Sequence, residues 1–306
     1  MLSEVSKSLS PRSSMHWVAG SGHPASFSVN PFILAGAAAL AVGLSRSWSE
    51  PLQALLIVPL ILGGLIHGAV DLVRLSRLAF ISILPAAGIY FFVASLSLLC
   101  FVSYPLVGLA VILVISAAHF GLSDTEEPSG WRRWFDIVAR GAAVIIIPVW
   151  LHPQDVGLVF VAIAGDDASG LVGIISQLGP LAIFIAALAM LVQVTASNQT
   201  KSVEWGTLIL LFVLTPPVLA FAIYFAFLHS ARHLQKSKMM VNKIRNGHGY
   251  VVAASLGGAF FCIMAGDALD IDGASALFPG LFALTVPHIL LEILESQQWA
   301  TRRVET

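Results

Sequence analysis

The sequence predicts an all-α protein, a polytopic bundle of about ten transmembrane helices with both termini on the cytoplasmic side. Three observations carry that prediction. Of 306 residues, 57% are hydrophobic and only 11% are charged, and the mean hydropathy is +0.87; a soluble domain carries about 25% charged residues. Apolar runs long enough for a bilayer, roughly 20 residues each, recur along the chain. Lysine and arginine fall almost entirely on one side once those runs are threaded back and forth.

Residues 1–26 are polar and Ser-rich, with Lys7 and Arg12 but no apolar centre. They do not read as a cleavable signal peptide; a mobile cytoplasmic tail is expected. A single transmembrane catalytic domain is expected over 27–296, closed by a short cytoplasmic tail at 297–306. Within the domain, clear apolar runs cover 27–44, 51–73, 78–101, 104–123, 135–152, 171–196, 249–268 and 274–295. The run 205–234 is too long for one ordinary crossing, and Pro216-Pro217 interrupts it. A short apolar piece, 156–165, is left over.

Charge settles the parity. Nine crossings divide the cations almost evenly, against the positive-inside rule. If the Pro-Pro break reverses the chain, there are ten crossings, and fourteen Lys/Arg share one side with the two termini while Arg46 alone lies opposite. Arg140 stays inside a span. Using 156–165 as the extra crossing instead moves only Lys201 across. The acidic loops 153–170 and 269–273, free of Lys and Arg, suit the outer face. A multi-pass protein of the cell membrane, in contact with lipid, is expected. A net charge of −1 gives no case for nucleic-acid binding. Cys100 and Cys262 both lie in apolar runs and read as buried small hydrophobes rather than a disulfide framework.

Histidines carry the functional signal. His229 and His233 form an H-x-x-x-H pair in an apolar run, so a helix puts both on one face, in reach of one ion. Polar side chains at membrane depth are costly and are usually kept for function. His67, His119 and His288 also sit in apolar segments, each followed within five residues by a carboxylate: Asp71, Asp124 and Glu292. In the ten-crossing arrangement all four segments run from outside to inside. At 1.5 Å per residue, their histidines lie within roughly 10 Å of the cytoplasmic helix ends. That shared depth favours one site. His16, His23, His152 and His248 fall in the tail or loops and have no assigned role.

Asp71, Asp124 and Glu292 are candidates to accept the second N–H of a metal-bound imidazole; Asp71 can equally cap its helix end at the interface or pair with Arg74, and Asp124 can equally be the first cytoplasmic charge. His288 follows Pro287 and is either a fifth ligand, a pocket residue or a partner for a carbonyl the proline frees. The glycines around His67 permit close helix packing or close ligand approach. Tyr90, Tyr104, Tyr224 and the phenylalanines would suit a long apolar substrate, though most are expected to face lipid or core. No H-E-x-x-H, G-x-S-x-G, H-x-x-H-H or Gly-rich phosphate loop is present. Neutral imidazoles suit Fe, Cu, Zn or Ni, and an all-histidine set without thiolate admits a ferrous oxygenase. Two other classes stay open: a membrane hydroxylase of an isoprenoid, and a proton or metal transporter with histidine sites.

The segments His67-Gly68-Ala69-x-Asp71, His119-Phe120-Gly121-x-x-Asp124, Leu228-His229-Ser230-x-Arg232-His233-Leu234 and Pro287-His288 occur in order between residues 63 and 292. Together they resemble the Brp/Blh family, membrane-bound β-carotene 15,15′-dioxygenases. The resemblance implies Fe(2+) held by His67, His119, His229 and His233, with β-carotene and O₂ as substrates. It further implies two all-trans-retinals as products, supplied to a rhodopsin. Arg232 lies inside the third segment, which suggests a supporting part beside the ligands.

Overall fold

The computed structural model describes residues 31–45, 50–127, 129–242 and 247–304. The N-terminal tail, Arg46, Lys243 and Arg245 lie outside them. Among the described residues there is helix and no strand, as the sequence predicts.

The chain order is α1 (Pro31–Ser45), α2 (Glu50–Gly64), α3 (Ile66–Leu78), α4 (Ile83–Ser103), α5 (Pro105–Asp124), α6 (Trp131–Leu151), α7 (Pro153–Ala164), α8 (Ala168–Ser176), α9 (Gly179–Thr195), α10 (Gln199–Leu214), α11 (Pro217–Tyr224), a π-helical segment (Phe225–Ser230), α12 (Ala231–Asn242), α13 (Gly247–Ala268), a 3-10 turn (Gly273–Ala276) and α14 (Leu277–Val304). Proline opens α5, α7 and α11, where its missing N–H has no intrahelical partner to lose.

Three long runs are less regular than hydropathy suggests. The run 51–73 is broken at Leu65 between α2 and α3. The run 171–196 bends by 51° between α8 and α9. In 205–234, Thr215 and Pro216 are extended and end α10. Beyond them Phe212 meets Tyr224, and Glu204 pairs with Arg232. The chain past the break therefore packs back against α10, one of the two ways the sequence offers to place the extra crossing.

Six described helices are long and apolar enough to cross a membrane, or seven if the bent pair counts as one span. The expectation of about ten is therefore not reached on length and composition. The shortfall has physical causes: α10 has 16 residues and α7 only 12, and the π segment divides α11 from α12. The last helix continues to Val304, so the expected C-terminal tail begins as helix.

Two packed groups result. One joins α5, α6, α9, α10 and α1; the other joins α4, α14, α13 and α3. Glycines let the first group close tightly: a methyl on Gly121 would strike the Ile137 carbonyl, and one on Gly141 the Ala117 carbonyl. Small residues at such crossings are how membrane helices approach without a hydrophobic drive. The returning arm (α11, π segment, α12) lies between the groups, touching α2, α5, α3 and α13. Large apolar side chains such as Phe92, Val114 and Phe184 point outward, each more than 60% exposed. Such an apolar coat belongs in lipid.

Candidate metal centre

The histidines meet at the seam between the two groups. His119 comes from α5, His229 from the π segment, His233 from the first turn of α12, His67 from the first turn of α3 and His288 from α14. All five are buried. Donor atoms of His119, His229, His233 and His288 lie within 4.8 Å of one another. The His67 ring centroid is 5.0 Å from that of His229 and 5.2 Å from those of His233 and His288. The structure thus brings together every histidine singled out in the sequence, from four separate stretches of chain.

Local structure aims each ring. The break at Leu65 leaves the Gly64 carbonyl free to accept from His67 Nδ1 at 2.6 Å, and Ser230 Oγ donates to the same carbonyl at 2.9 Å. Gly64 also lets the π segment approach, since a methyl there would enter the Phe225 ring. π turns inside α-helices recur at functional sites; here the turn carries His229 while α12 carries His233, and their rings sit 4.7 Å apart.

Carboxylates hold the outer nitrogens. His288 Nδ1 is 2.5 Å from Asp71 Oδ2, and His229 Nδ1 is 3.2 Å from Asp124 Oδ1. His119 Nδ1 is 3.2 Å from both Glu292 Oε2 and Ser123 Oγ. Glu292 Oε1 lies 3.7 Å from His233 Nδ1. His288 therefore turns to Asp71 rather than to a carbonyl freed by Pro287. Each aspartate takes a tyrosine as well: Tyr224 OH donates to Asp124 at 2.5 Å, and Tyr90 OH lies 3.3 Å from Asp71. Arg74 bridges Asp71 to Glu295. Arg232 faces away from the rings, toward the Asp124 carbonyl, Glu204 and Glu126.

The inner nitrogens are left facing one another. His119 Nε2 and His229 Nε2 are 3.3 Å apart. His233 Nε2 and His288 Nε2 are buried with no hydrogen-bond partner, Glu292 Oε1 lying 3.9 Å from the latter. Buried polar atoms are nearly always satisfied, and a carboxylate on Nδ1 fixes the tautomer whose Nε2 lone pair is free to ligate. Orphaned nitrogens, imidazole donors and surrounding anions together fit a transition-metal cation. An ion about 2.1 Å from each nitrogen needs donors within about 4.2 Å, so the set would close by several tenths of an ångström.

Beside the rings opens an apolar cavity. His67, His119, His229 and His288 form one part of its wall, and Phe120, Phe221, Phe225, Phe278 and Phe282 line it nearby. It extends to Phe91, Ala254 and Gly258 of α4 and α13, and to Val149, Val156 and Phe160 of α6 and α7.

The model of the β-carotene 15,15′-dioxygenase family matches residues 58–294. The chain belongs to that family. The matched stretch contains all five clustered histidines and their three carboxylates. A curated relative in this family, the β-carotene 15,15′-dioxygenase of uncultured marine bacterium 66A03, is 28% identical over 253 residues, covering 74% of this chain and 88% of the relative. No solved structure matches the chain.

Sequence reasoning missed several members of the site. Ser230 sits between the two recognised histidines of its own segment. Tyr90 and Tyr224 read as aromatics that would suit a long apolar substrate but more often face lipid or core, yet they anchor Asp71 and Asp124. Glu204 fell just outside an apolar run. The available signal was a carboxylate bordering an apolar run while Arg140 was left inside a span without a partner of opposite charge assigned to it.

Proposed function

We propose that this chain cleaves β-carotene at its central 15,15′ double bond with O₂, giving two molecules of retinal. The alkene and one O₂ account for every atom of two aldehydes, so no further reductant is required. The observation that carries the reading is the buried histidine cluster, with orphaned inner nitrogens, opening onto an apolar aromatic cavity. Family membership supports the same chemistry.

In this proposal the metal is Fe(2+), which supplies O₂ activation when bound. His119, His229 and His233 hold it with His67, and His288 is the fifth donor. Asp71, Asp124 and Glu292 orient the rings through Nδ1 and offset the ion's charge. The phenylalanines of the cavity hold the polyene flat and exclude water from the reacting carbons. The cavity reaches both α4/α13 and α6/α7, which suits a long substrate extending on either side of the centre. Apolar outer walls let such a substrate enter from the membrane. Supply of retinal to a rhodopsin belongs to the proposal through the family resemblance alone.

The topology proposed with it is ten crossings in the cell membrane with both termini cytoplasmic. Its support is the charge asymmetry and the reversal at Thr215-Pro216.

The test uses the detergent-solubilised protein, stripped with chelator and reloaded separately with Fe(2+), Zn(2+) or Cu(2+), given β-carotene under labelled O₂. Retinal formed only with iron, carrying the label, is expected. A hydroxylated C40 product, or shorter apocarotenals in place of retinal, would refute central cleavage.

A further inference from the structure

Behind the His229 side of the centre lies a buried ionic network that the proposed chemistry does not use. Glu204 of α10, only 2% exposed, sits between two guanidinium groups. Its Oε1 accepts from Arg140 Nη1 at 2.5 Å and its Oε2 from Arg232 Nη2 at 2.6 Å. Arg140 is held in turn by Asp136 at 2.8 Å and lies over the Trp205 ring. All of these side chains are almost fully buried.

Charges buried this deeply are costly, and removing one partner is strongly destabilising, so such a network is weak evidence of stabilisation and stronger evidence of a specified arrangement. Its connections say which arrangement. Arg232 immediately precedes His233, so fixing its side chain fixes the rotation of the first turn of α12. Its Nη1 donates to the Asp124 carbonyl at 2.8 Å. The carboxylate of that same Asp124 receives His229 Nδ1 and Tyr224 OH. One path thus runs from Glu204 through Arg232 to both histidines of the H-x-x-x-H pair.

We infer that Glu204 is a positioning residue for the metal centre: through Arg232 it sets the placement of Asp124 and the aim of His229 and His233. The inference rests on reading the histidine cluster as a metal site. Glu204 touches no ligand, so its effect passes entirely through Arg232.

The experiment titrates the full-length, metal-stripped protein in detergent with Co(2+) alone. It follows the visible absorption of the bound ion for wild type, Glu204→Gln, Asp124→Asn and the double variant. Partners of metal-bound histidines carry about 10–100-fold in affinity; for Glu204→Gln, one step further out, a loss of about tenfold with a shifted visible band is expected. Because one of the two routes from Arg232 runs through Asp124, the expected loss on adding Glu204→Gln to Asp124→Asn is smaller than in the wild-type background. If Glu204→Gln does not fold, Glu204→Gln combined with Arg140→Met, which removes one charge of each sign, replaces it with the same expectations. Wild-type affinity and spectrum in the variant, or losses that simply multiply in the double variant, would overturn the inference. Failure of the wild-type chain to bind Co(2+) would instead overturn the metal reading beneath it.

Discussion

At the scale of single residues, the site is a set of imidazoles whose outer nitrogens are tied and whose inner nitrogens are free. The ties differ in kind. His288 and His229 have fully buried aspartates, each with a tyrosine donor. His119 and His233 share the partly exposed Glu292. Asp124→Asn keeps the shape but removes the anion, and it is expected to weaken metal binding by about 10–100-fold, measured by titration of the stripped protein. Tyr224→Phe removes one donor to a carboxylate that keeps its other contacts, so a smaller loss in the same titration is expected. The histidines were legible in the sequence because imidazoles are out of place in apolar runs. Their partners were not. Tyr224 and Asp124 are 100 residues apart and Tyr90 and Asp71 are 19 apart, and nothing in local spacing says which hydroxyl reaches which carboxylate. Ser230 was hidden for another reason: its partner is a backbone carbonyl exposed by a helix break that hydropathy does not register.

At the scale of elements, three features place those residues. The Leu65 break frees the carbonyl that aims His67, the π segment carries His229, and the Thr215-Pro216 turn brings α12 back beside α10. Only the last was among the expectations from sequence, as one of two ways to place the extra crossing, because proline has a local signature and the other two do not. α5, which carries His119, seats tightly on α6 through Gly121 and Gly141. Gly121→Ala forces a methyl against the Ile137 carbonyl, and overpacking of this kind costs about 1–3 kcal/mol. A lowered unfolding temperature in detergent is expected. Gly88, which has open space around a Cβ on α4, is the matched control: Gly88→Ala is expected to leave that temperature unchanged or raise it slightly, since Ala is the better helix former.

For the whole molecule, fold class and site converge on one picture: a membrane helix bundle with its polar chemistry at an internal seam and its apolar side chains outward. The all-helical class was readable from composition together with apolar runs of bilayer length. The number of crossings was not, because bent, short and interrupted helices share the same hydropathy as straight spans. Reporter fusions at the two termini are expected to report the cytoplasm for both, and a fusion in 269–273 the opposite side; an outward terminus would remove the ten-crossing arrangement.

The proposed activity puts central splitting of β-carotene at the histidine seam. Its most direct measurement is expression in a bacterium that accumulates β-carotene, with the extracted pigments separated by chromatography. The wild-type chain is compared with His229→Ala and His233→Ala, each checked for membrane insertion. Central cleavage at this seam predicts loss of orange colour and appearance of retinal with the wild-type chain, and neither with the two variants. Unchanged β-carotene with the inserted, iron-supplied wild type, or retinal still formed by both variants, would contradict it.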